Sequence, residues 1–273
     1  MSEAAVTKDH VTFELRDDGV ARITLARPEA KNALSVAMRD RLIELVERCQ
    51  VDPEVRSVLL AAQGEVFCSG MDLRESTVSD AGKPGFDPRS TSVALKSGVH
   101  RIILGLWQLD KPTVAAVGGA AVGPGAHLAL ACDFVITTPV AKFAWSFSRW
   151  GLVVDAGGAY LLPRLVGMSR AKEMVLLGVG SSGEEAVEEG LALRCVQPEE
   201  LAHAAEGLAV ELAAGPTRAI GLSKRLLNAS FETTLVVSLD QEADAQALAT
   251  ASHDLVEGMA AFRERRDPVF EGR

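Results

Sequence analysis

Residues 112–132 read PTVAAVGGAAVGPGAHLALAC, a run that carries no charge when His127 is neutral. The run is long enough for a membrane-spanning helix, which needs about 20 apolar residues. Gly123, Pro124 and Gly125 interrupt it at a point where such a helix requires a continuous backbone. The stretch therefore predicts a buried strand, a tight loop and a buried helix, and it argues against a membrane protein.

The same order of strand, loop and helix recurs on the N-terminal side of this stretch. Residues 11–28 predict a hairpin of two short strands, and residues 36–50 have apolar side chains at helical spacing with Ser35 as the N-cap. The apolar run 55–62 is typical of a buried strand and leads into the loop GEVFCSGMDL at 64–73. This succession of elements predicts an α/β protein.

The C-terminal part of the chain has a different pattern. Residues 76–92 predict a mobile loop and residues 93–108 a helix, but strand signals fade from about residue 198 onward. We expect a core over 1–197 that holds the functional site, and a helical oligomerisation region over 198–273. The alanine-rich helical segments expected in that region are 198–214, 217–230, 235–251 and 252–265.

Composition limits the classes of function. A net charge of −9 argues against a nucleic acid or an anionic membrane as partner, because both require a positive field. Cys49, Cys68, Cys132 and Cys195 are too widely spaced for paired metal ligands or a disulfide scaffold, so no metal site is expected. Residues 1–10 lack the apolar core of a signal peptide. These features together favour a reducing cytoplasm.

Residues 178–183, GVGSSG, match the glycine pattern of a dinucleotide-binding loop. That pattern is meaningful only directly after a strand, whereas here it follows the helical segment AKEMVLL at 171–177. The segment therefore predicts the end of a helix at Gly178 and a loop beyond it.

Asp155 is the single carboxylate in AKFAWSFSRWGLVVDAGGAYLLPRLVG, residues 141–167. A lone carboxyl group in apolar surroundings tends to have a raised pKa and can exchange protons near neutral pH. The alternative is that Asp155 caps the helix that GGAYLLPRL starts, because aspartate is a favoured N-cap. This segment alone favours the cap, and the rest of the chain favours the proton-exchanging carboxylate.

Four segments follow one another in an informative order: RPEAKNALS (27–35), FCSGMDL (67–73), KPTVAAVGGAAVGPGAHLALACD (111–133) and WGLVVDAGGAYLLPRLVG (150–167). Together they resemble the crotonase superfamily of acyl-CoA enzymes, also called enoyl-CoA hydratases/isomerases, and HDLVEGMAAFRERRDPVF (253–270) resembles that family's ending. The resemblance implies a crotonase-like spiral of repeated ββα turns with a helical C-terminal trimerisation region. It also implies an acyl-CoA thioester as substrate, no cofactor beyond the coenzyme A of that substrate, and a homotrimer or a dimer of trimers.

The family stabilises the enolate oxygen of the thioester with two backbone N–H groups. The resemblance places one donor at Met71, after Gly70, and the other at Pro124, which has no N–H to donate. Proline is favoured at the first position of a helix that starts after Gly123, and the N–H of Gly125 remains able to donate. The implied catalytic donors are therefore Met71 and Gly125.

The resemblance also implies how coenzyme A is bound. Backbone groups of the two loops near the N-terminus hold it, basic side chains lie near its phosphates, and one basic residue reaches a neighbouring subunit's ligand. The implied binding residues are Lys31, Ala33, Leu34, Ser69, Gly70, Asp72, Leu73, Gly123, Pro124 and Arg265.

The acid–base residues depart from those of a hydratase. Hydratases of the family carry water-holding glutamates at the positions of His127 and Phe147, and phenylalanine cannot orient water. Both side chains are still expected beside the substrate. Asp155 matches the catalytic aspartate of dienoyl-CoA isomerases and of phenylacetate-pathway 1,2-epoxyphenylacetyl-CoA isomerases, and its surroundings most resemble the latter. Because one carboxylate can move a proton between two carbons, migration of a double bond is the expected reaction.

Three alternatives stay open. The first is an enoyl-CoA hydratase of fatty-acid β-oxidation. The second is an aryl-CoA hydrolytic dehalogenase, because Asp155 matches that enzyme's nucleophile and His100 lies twelve residues before Pro112, as its histidine does. Phe147 in place of that enzyme's tryptophan argues against it. The third is a non-catalytic acyl-CoA binder, favoured by the missing glutamates and by Pro124.

Overall fold

The computed structural model describes residues 10–273. The segment predicted to lack a signal peptide lies outside the described residues, apart from His10. The strands are β1 Val11–Leu15, β2 Val20–Leu25, β3 Ser57–Ala62, β4 Val66–Cys68, β5 Thr113–Val117, β6 Ala120–Val122, β7 Phe134–Thr137, β8 Lys142–Ala144, β9 Ser181–Ser182 and β10 Arg194–Cys195. The helices are α1 Val36–Val51, α2 Arg89–Ser97, α3 Val99–Gln108, α4 Pro124–Leu130, α5 Gly158–Leu177, α6 Gly183–Glu188, α7 Leu201–Ala214, α8 Thr217–Ala229, α9 Leu235–Thr250 and α10 His253–Glu264.

The larger sheet has six strands in the order β1-β2-β3-β5-β7-β10. β1 and β2 form the predicted hairpin and pair antiparallel, and Gly19 in their turn adopts a φ of +81° that favours glycine. The remaining pairs in this sheet are parallel. β3 is buried along almost its whole length, which explains its continuous run of apolar residues.

Two strands followed by a helix form the repeating unit. In the pairs β3 and β4, β5 and β6, and β7 and β8, the first strand joins the larger sheet and the second joins a four-stranded sheet of order β4-β6-β8-β9. A helix or helix pair follows each unit: α2 and α3, then α4, then α5. The predicted α/β spiral of ββα turns is therefore confirmed.

The helices predicted for the C-terminal region are α7 to α10, within a few residues of the expected bounds. α7 buries Ala205, Leu208 and Ala209 in one apolar cluster with Leu59 and Val114 of the larger sheet. The region after residue 198 therefore shares a core with the residues before it. α9 differs, because none of its residues is buried in the described chain.

The helix predicted over residues 93–108 is instead two helices, and this part of the prediction is wrong. α2 begins at Arg89, and the chain turns out of the helical path at Gly98, where φ is −110° and ψ is −107°. A Cβ built on Gly98 would lie 2.8 Å from the carbonyl oxygen of Ala94 and 3.0 Å from Nη1 of Arg39. A side chain on a distant helix therefore occupies the space at this break, and a local pattern does not report it.

Residues 112–132 form β5, β6 and α4, as their glycines and proline indicated, with a short second strand in place of a simple loop. Within residues 10–273, no helix combines the length and the apolar character that a bilayer crossing requires.

Candidate active site

Two loops that lie far apart in the sequence pair to form one wall of the site. The N–H of Leu34 donates to the carbonyl of Gly70 (2.8 Å), and the N–H of Asp72 donates to the carbonyl of Leu34 (3.1 Å). The N–H of Ser69 donates to the carbonyl of Lys31 (3.1 Å). KNALS and CSGMD, which the sequence presents as separate motifs, are therefore one parallel backbone pairing.

Asn32 fixes the first of these loops. Its side chain is buried, and Nδ2 donates to the carbonyls of Gln63 (2.9 Å) and Val66 (2.7 Å) while Oδ1 accepts from the N–H of Arg27 (2.8 Å). Asn32 also has a φ of +52°, which asparagine tolerates better than most residues. Asn32 was not predicted from the sequence, and it supports the site without lining the cavity.

A cavity of about 810 Å³ opens between this wall, the start of α4 and the segment after β8. That volume suits a large organic ligand. Its lining includes residues from all four segments that carry the family resemblance. The predicted site residues that line it are Lys31, Ser69, Gly70, Met71, Leu73, Gly123, Pro124, Phe147 and Asp155.

Met71 lines the cavity. It forms an isolated parallel bridge with Leu34, and that bridge uses the carbonyl of Gly70 and the N–H of Asp72. Met71 lies between these two residues, so its own N–H points away from Leu34. The N–H of Met71 is therefore left for a ligand, which is the geometry that a backbone oxyanion donor requires.

Pro124 lines the cavity at the first position of α4, next to the Met71 loop. A Cβ built on Gly70, whose φ is +96°, would lie 3.0 Å from the carbonyl oxygen of Val122 and 3.4 Å from Cδ of Pro124. The proline ring therefore reaches the glycine that precedes Met71. A ring carbon lies where another residue would present its N–H.

Gly125 lies behind Pro124 and does not line the cavity. It is buried, and a Cβ at this position would come within 2.3 Å of the carbonyl oxygen of Cys68. Glycine is thus required for α4 to pack on the end of β4. The role of its N–H as the second donor stays a prediction.

Asp155 precedes a sharp turn. Ala156 has a φ of +47° and Gly157 a φ of +81°, so two consecutive residues are left-handed before α5 begins. A buried alanine in that region costs about 1 kcal/mol or more, and such strain is typical of functional sites. Gly157 is the N-cap of α5, and no side chain caps it. The interpretation of Asp155 as a helix cap is therefore wrong.

The carboxyl group of Asp155 has a raised pKa. Burial is the main cause and raises the pKa to about 6, partly offset by a hydrogen bond from its own backbone. Its Oδ1 atom is buried without a hydrogen-bond partner among the described residues. A carboxylate with these properties can accept and release a proton near neutral pH.

His127 lies outside the cavity lining, beneath the start of α5. It is fully buried, its Nε2 accepts the indole N–H of Trp145 (3.0 Å), and its ring stacks on Phe147 at 5.8 Å between centroids. Burial lowers the pKa of His127 to about 4, so the ring is neutral and carries its proton on Nδ1. A Cβ on Gly158 would overlap this ring, at 2.1 Å from Cε1. The prediction that His127 contacts the substrate is not supported, because Phe147 lines the cavity in its place.

Asp72 supports the site from outside the lining. Arg74 and Arg27 both donate to its carboxylate at 2.8 Å, and together they hold its pKa well below the usual range. His100 is half-buried on α3, and burial, helped by Lys96, lowers its pKa. The predicted residues of the described chain that lie outside the cavity lining are Ala33, Leu34, Asp72, His100, Gly125, His127 and Arg265.

Several lining residues were not predicted. Trp150, Leu152 and Val153 are exposed apolar residues just before Asp155, in a segment whose apolar character was visible in the sequence. Arg39 was not visible, because a charged residue in the pattern MRDRLIELVER is typical of a solvated helix face. Its burial depends on helices that pack against α1 only in the folded chain.

Comparison with known proteins agrees with this geometry. A family model described as enoyl-CoA hydratase/isomerase matches residues 16–273. The chain is 40% identical over 261 residues to the 1,2-epoxyphenylacetyl-CoA isomerase of Escherichia coli (strain K12), a match that covers 94% of this chain and 97% of that protein.

Solved structures show the same fold. The enoyl-CoA hydratase from Bacillus anthracis superposes with a TM-score of 0.89 at 30% identity, over 97% of this chain and 100% of that one. The enoyl-CoA hydratase/isomerase from Cupriavidus metallidurans CH34 superposes with a TM-score of 0.89 at 31% identity, over 97% of both chains. This protein belongs to the enoyl-CoA hydratase/isomerase family of acyl-CoA enzymes.

Proposed function

We propose that this enzyme is an enoyl-CoA isomerase that moves a double bond along an acyl-CoA thioester, with Asp155 as the proton shuttle. The observation that carries the proposal is the state of the carboxylates around the cavity. Asp40 and Glu75 also line it but are exposed at its rim, and Glu75 accepts the N–H of Val36. Asp155 differs from these two acids because one of its oxygens is buried without a partner. Burial raises the pKa of Asp155 to about 6.

The reaction needs one proton to leave one carbon and return to another. With a 3-enoyl thioester, the Asp155 carboxylate takes a proton from C2, and the electron pair moves into the conjugated enolate, whose charge rests on the thioester oxygen. The carboxylic acid then returns the proton to C4, and the double bond forms between C2 and C3. The N–H of Met71 stabilises the oxygen. The proposed second donor is the N–H of Gly125, which would act from behind Pro124 at the N-terminus of α4.

Phe147 supports isomerisation over hydration. Hydration of a 2-enoyl thioester requires a group that holds water beside C3, and by family resemblance this group is a pair of glutamates. Here Phe147 lies on the cavity wall and stacks on the buried His127. The inner cavity therefore offers Asp155 without a second carboxylate.

We also propose that the chain assembles into a trimer or a dimer of trimers in the cytoplasm. α9 and α10 expose large apolar side chains that a protein surface in water usually covers. These side chains are Leu235, Val236, Leu239, Leu248, Val256, Met259 and Phe262. A neighbouring subunit that covers them would also bring Arg265 near a second active site, as the family resemblance implies.

The test is turnover of 2-enoyl, 3-enoyl, dienoyl and halobenzoyl-CoA thioesters by the wild type, Asp155→Asn and Asp17→Asn. The control residue Asp17 is exposed in the turn between β1 and β2 and does not line the cavity. We expect the wild type and Asp17→Asn to isomerise 3-enoyl-CoA, and Asp155→Asn to lose that activity while still binding coenzyme A.

Full isomerase activity in Asp155→Asn would contradict the assignment. Hydration as fast as the best isomerisation would favour a hydratase, the activity named for the Bacillus anthracis relative. Retained coenzyme A binding without turnover of any thioester would indicate a non-catalytic binder.

A further inference from the structure

Arg39, on the first turns of α1, is a largely buried cation that pairs with no anion within residues 10–273. The residue is 8% exposed, and its one side-chain hydrogen bond in that range runs from Nε to the carbonyl of Ser35 (3.3 Å). Neither terminal nitrogen has a protein partner in that range, and Arg39 takes part in no ion pair there. Buried guanidinium groups are normally paired, because removing their charge from water is costly.

The guanidinium faces the substrate cavity. Arg39 lines that cavity together with Gly98, at the break between α2 and α3. Nη1 of Arg39 lies 3.0 Å from the point that a Cβ on Gly98 would occupy. The missing side chain at Gly98 therefore leaves room for the guanidinium, and no polar group of that segment binds it.

The acids of the cavity do not neutralise this charge. Asp40 and Glu75 stand exposed at the rim, and one oxygen of Glu75 is used by the N–H of Val36. Asp155 lines the cavity, but its Oδ1 is unpaired. The terminal nitrogens of Arg39 are thus free to bind an anionic group that enters the cavity.

We propose that Arg39 binds a carboxylate carried by the acyl chain of the substrate, so that the preferred acyl-CoA is a thioester of a dicarboxylic acid. This inference rests on the proposed isomerase function and names its substrate class. A carboxylate matches the planar fork of a guanidinium with two parallel hydrogen bonds. The phosphates of coenzyme A carry more charge and prefer water, which suits the exposed Lys31 better than the largely buried Arg39.

The test uses Arg39→Met and two 3-enoyl-CoA substrates of equal length, one ending in a methyl group and one in a carboxylate. Methionine fills similar volume, and removing an unpaired buried charge should not weaken the fold. We expect Arg39→Met to lower kcat/KM for the carboxylate substrate by about 30-fold more than for the methyl substrate. Arg39→Lys should keep part of the preference.

Arg41→Met is the matched control, because Arg41 lies on the same helix, pairs with Glu44 and does not line the cavity. Arg41→Met should leave kcat/KM unchanged for both substrates. The proposal would be overturned if Arg39→Met lowered kcat/KM equally for both substrates, or if the wild type preferred the methyl substrate.

Calorimetric binding of two saturated thioesters and of free coenzyme A separates the remaining outcomes. If Arg39→Met weakens free coenzyme A as much as the carboxylate thioester, Arg39 binds a phosphate and the proposal fails. If the carboxylate thioester alone loses affinity while the wild type isomerises neither substrate, the acyl-carboxylate site stands and the isomerase function fails.

Discussion

Replacement of Asp155 by asparagine is expected to remove isomerase activity and to stabilise the folded protein. Burial raises the pKa of this carboxyl group from 3.8 to about 6, so the charged form is less stable in the folded chain than in the unfolded one. A difference of about 2 pKa units corresponds to at most about 3 kcal/mol at neutral pH. Asparagine has a similar shape and carries no charge, so the variant escapes this cost.

The stabilisation depends on pH with a defined sign. Below pH 3.8 the carboxyl is protonated in both states, and the wild type pays no penalty. Between pH 3.8 and about 6 the unfolded chain loses the proton while the folded chain keeps it, so the wild-type free energy of unfolding falls as pH rises. Above that window the penalty is constant. The free energy of unfolding of the variant should exceed that of the wild type by up to about 3 kcal/mol at pH 7.5 and by up to about 1 kcal/mol at pH 4.5.

Urea unfolding at both pH values, at one protein concentration, measures this difference, and the isomerase assay measures the accompanying loss of about 10²- to 10⁴-fold. A variant less stable than the wild type at pH 7.5 would refute the reasoning. So would a gain that is the same at pH 4.5, because it would not come from ionisation of Asp155.

The wild type should hydrate crotonyl-CoA at least about tenfold more slowly than it isomerises its best substrate, because Phe147 replaces a water-holding carboxylate; equal rates by absorbance would contradict this. Sedimentation equilibrium should show a trimer or a hexamer, since α9 and α10 expose apolar faces, and a stable monomer would contradict the proposed assembly. Trp145→Phe should lower the free energy of unfolding in urea by about 1–3 kcal/mol, because it leaves His127 Nε2 without a donor. An unchanged unfolding midpoint would contradict the hydrogen bond between Trp145 and His127. Pro124→Gly should be neutral or harmful to turnover if Gly125 is the second donor. A tenfold gain in the turnover rate, or about 1.4 kcal/mol of transition-state stabilisation, would show that the proline ring deprives the enolate of a hydrogen-bond donor.

Local signals predicted most elements correctly. Ser35 caps α1 through the N–H of Met38, as its position before an amphipathic run indicated, and Gly178 ends α5 in a left-handed conformation. Both outcomes depend on interactions within one turn of the chain. Gly98 and Arg39 are different, because the break between α2 and α3 and the burial of the guanidinium involve each other across the fold.

Family motifs predicted which segments meet at the site, but they did not predict which residues of each segment face the cavity. Gly125 and His127 lie one and three residues after Pro124, yet only Pro124 of these three reaches the cavity. Helix geometry turns successive side chains by about 100°, and the close packing of α4 on β4 sets the direction. That direction is a tertiary property.

The two departures from a hydratase are coupled in the structure. A glutamate at position 127 would need water or a cation, but His127 accepts a hydrogen bond from Trp145 and is covered by Phe147. A carboxylate at position 147 would in turn lie against the neutral, buried ring of His127, which has no positive charge to pair with it. Phenylalanine at 147 and histidine at 127 thus form one packed unit. In the proposed isomerase this unit would leave no second acid beside the substrate, so that Asp155 would move the proton alone.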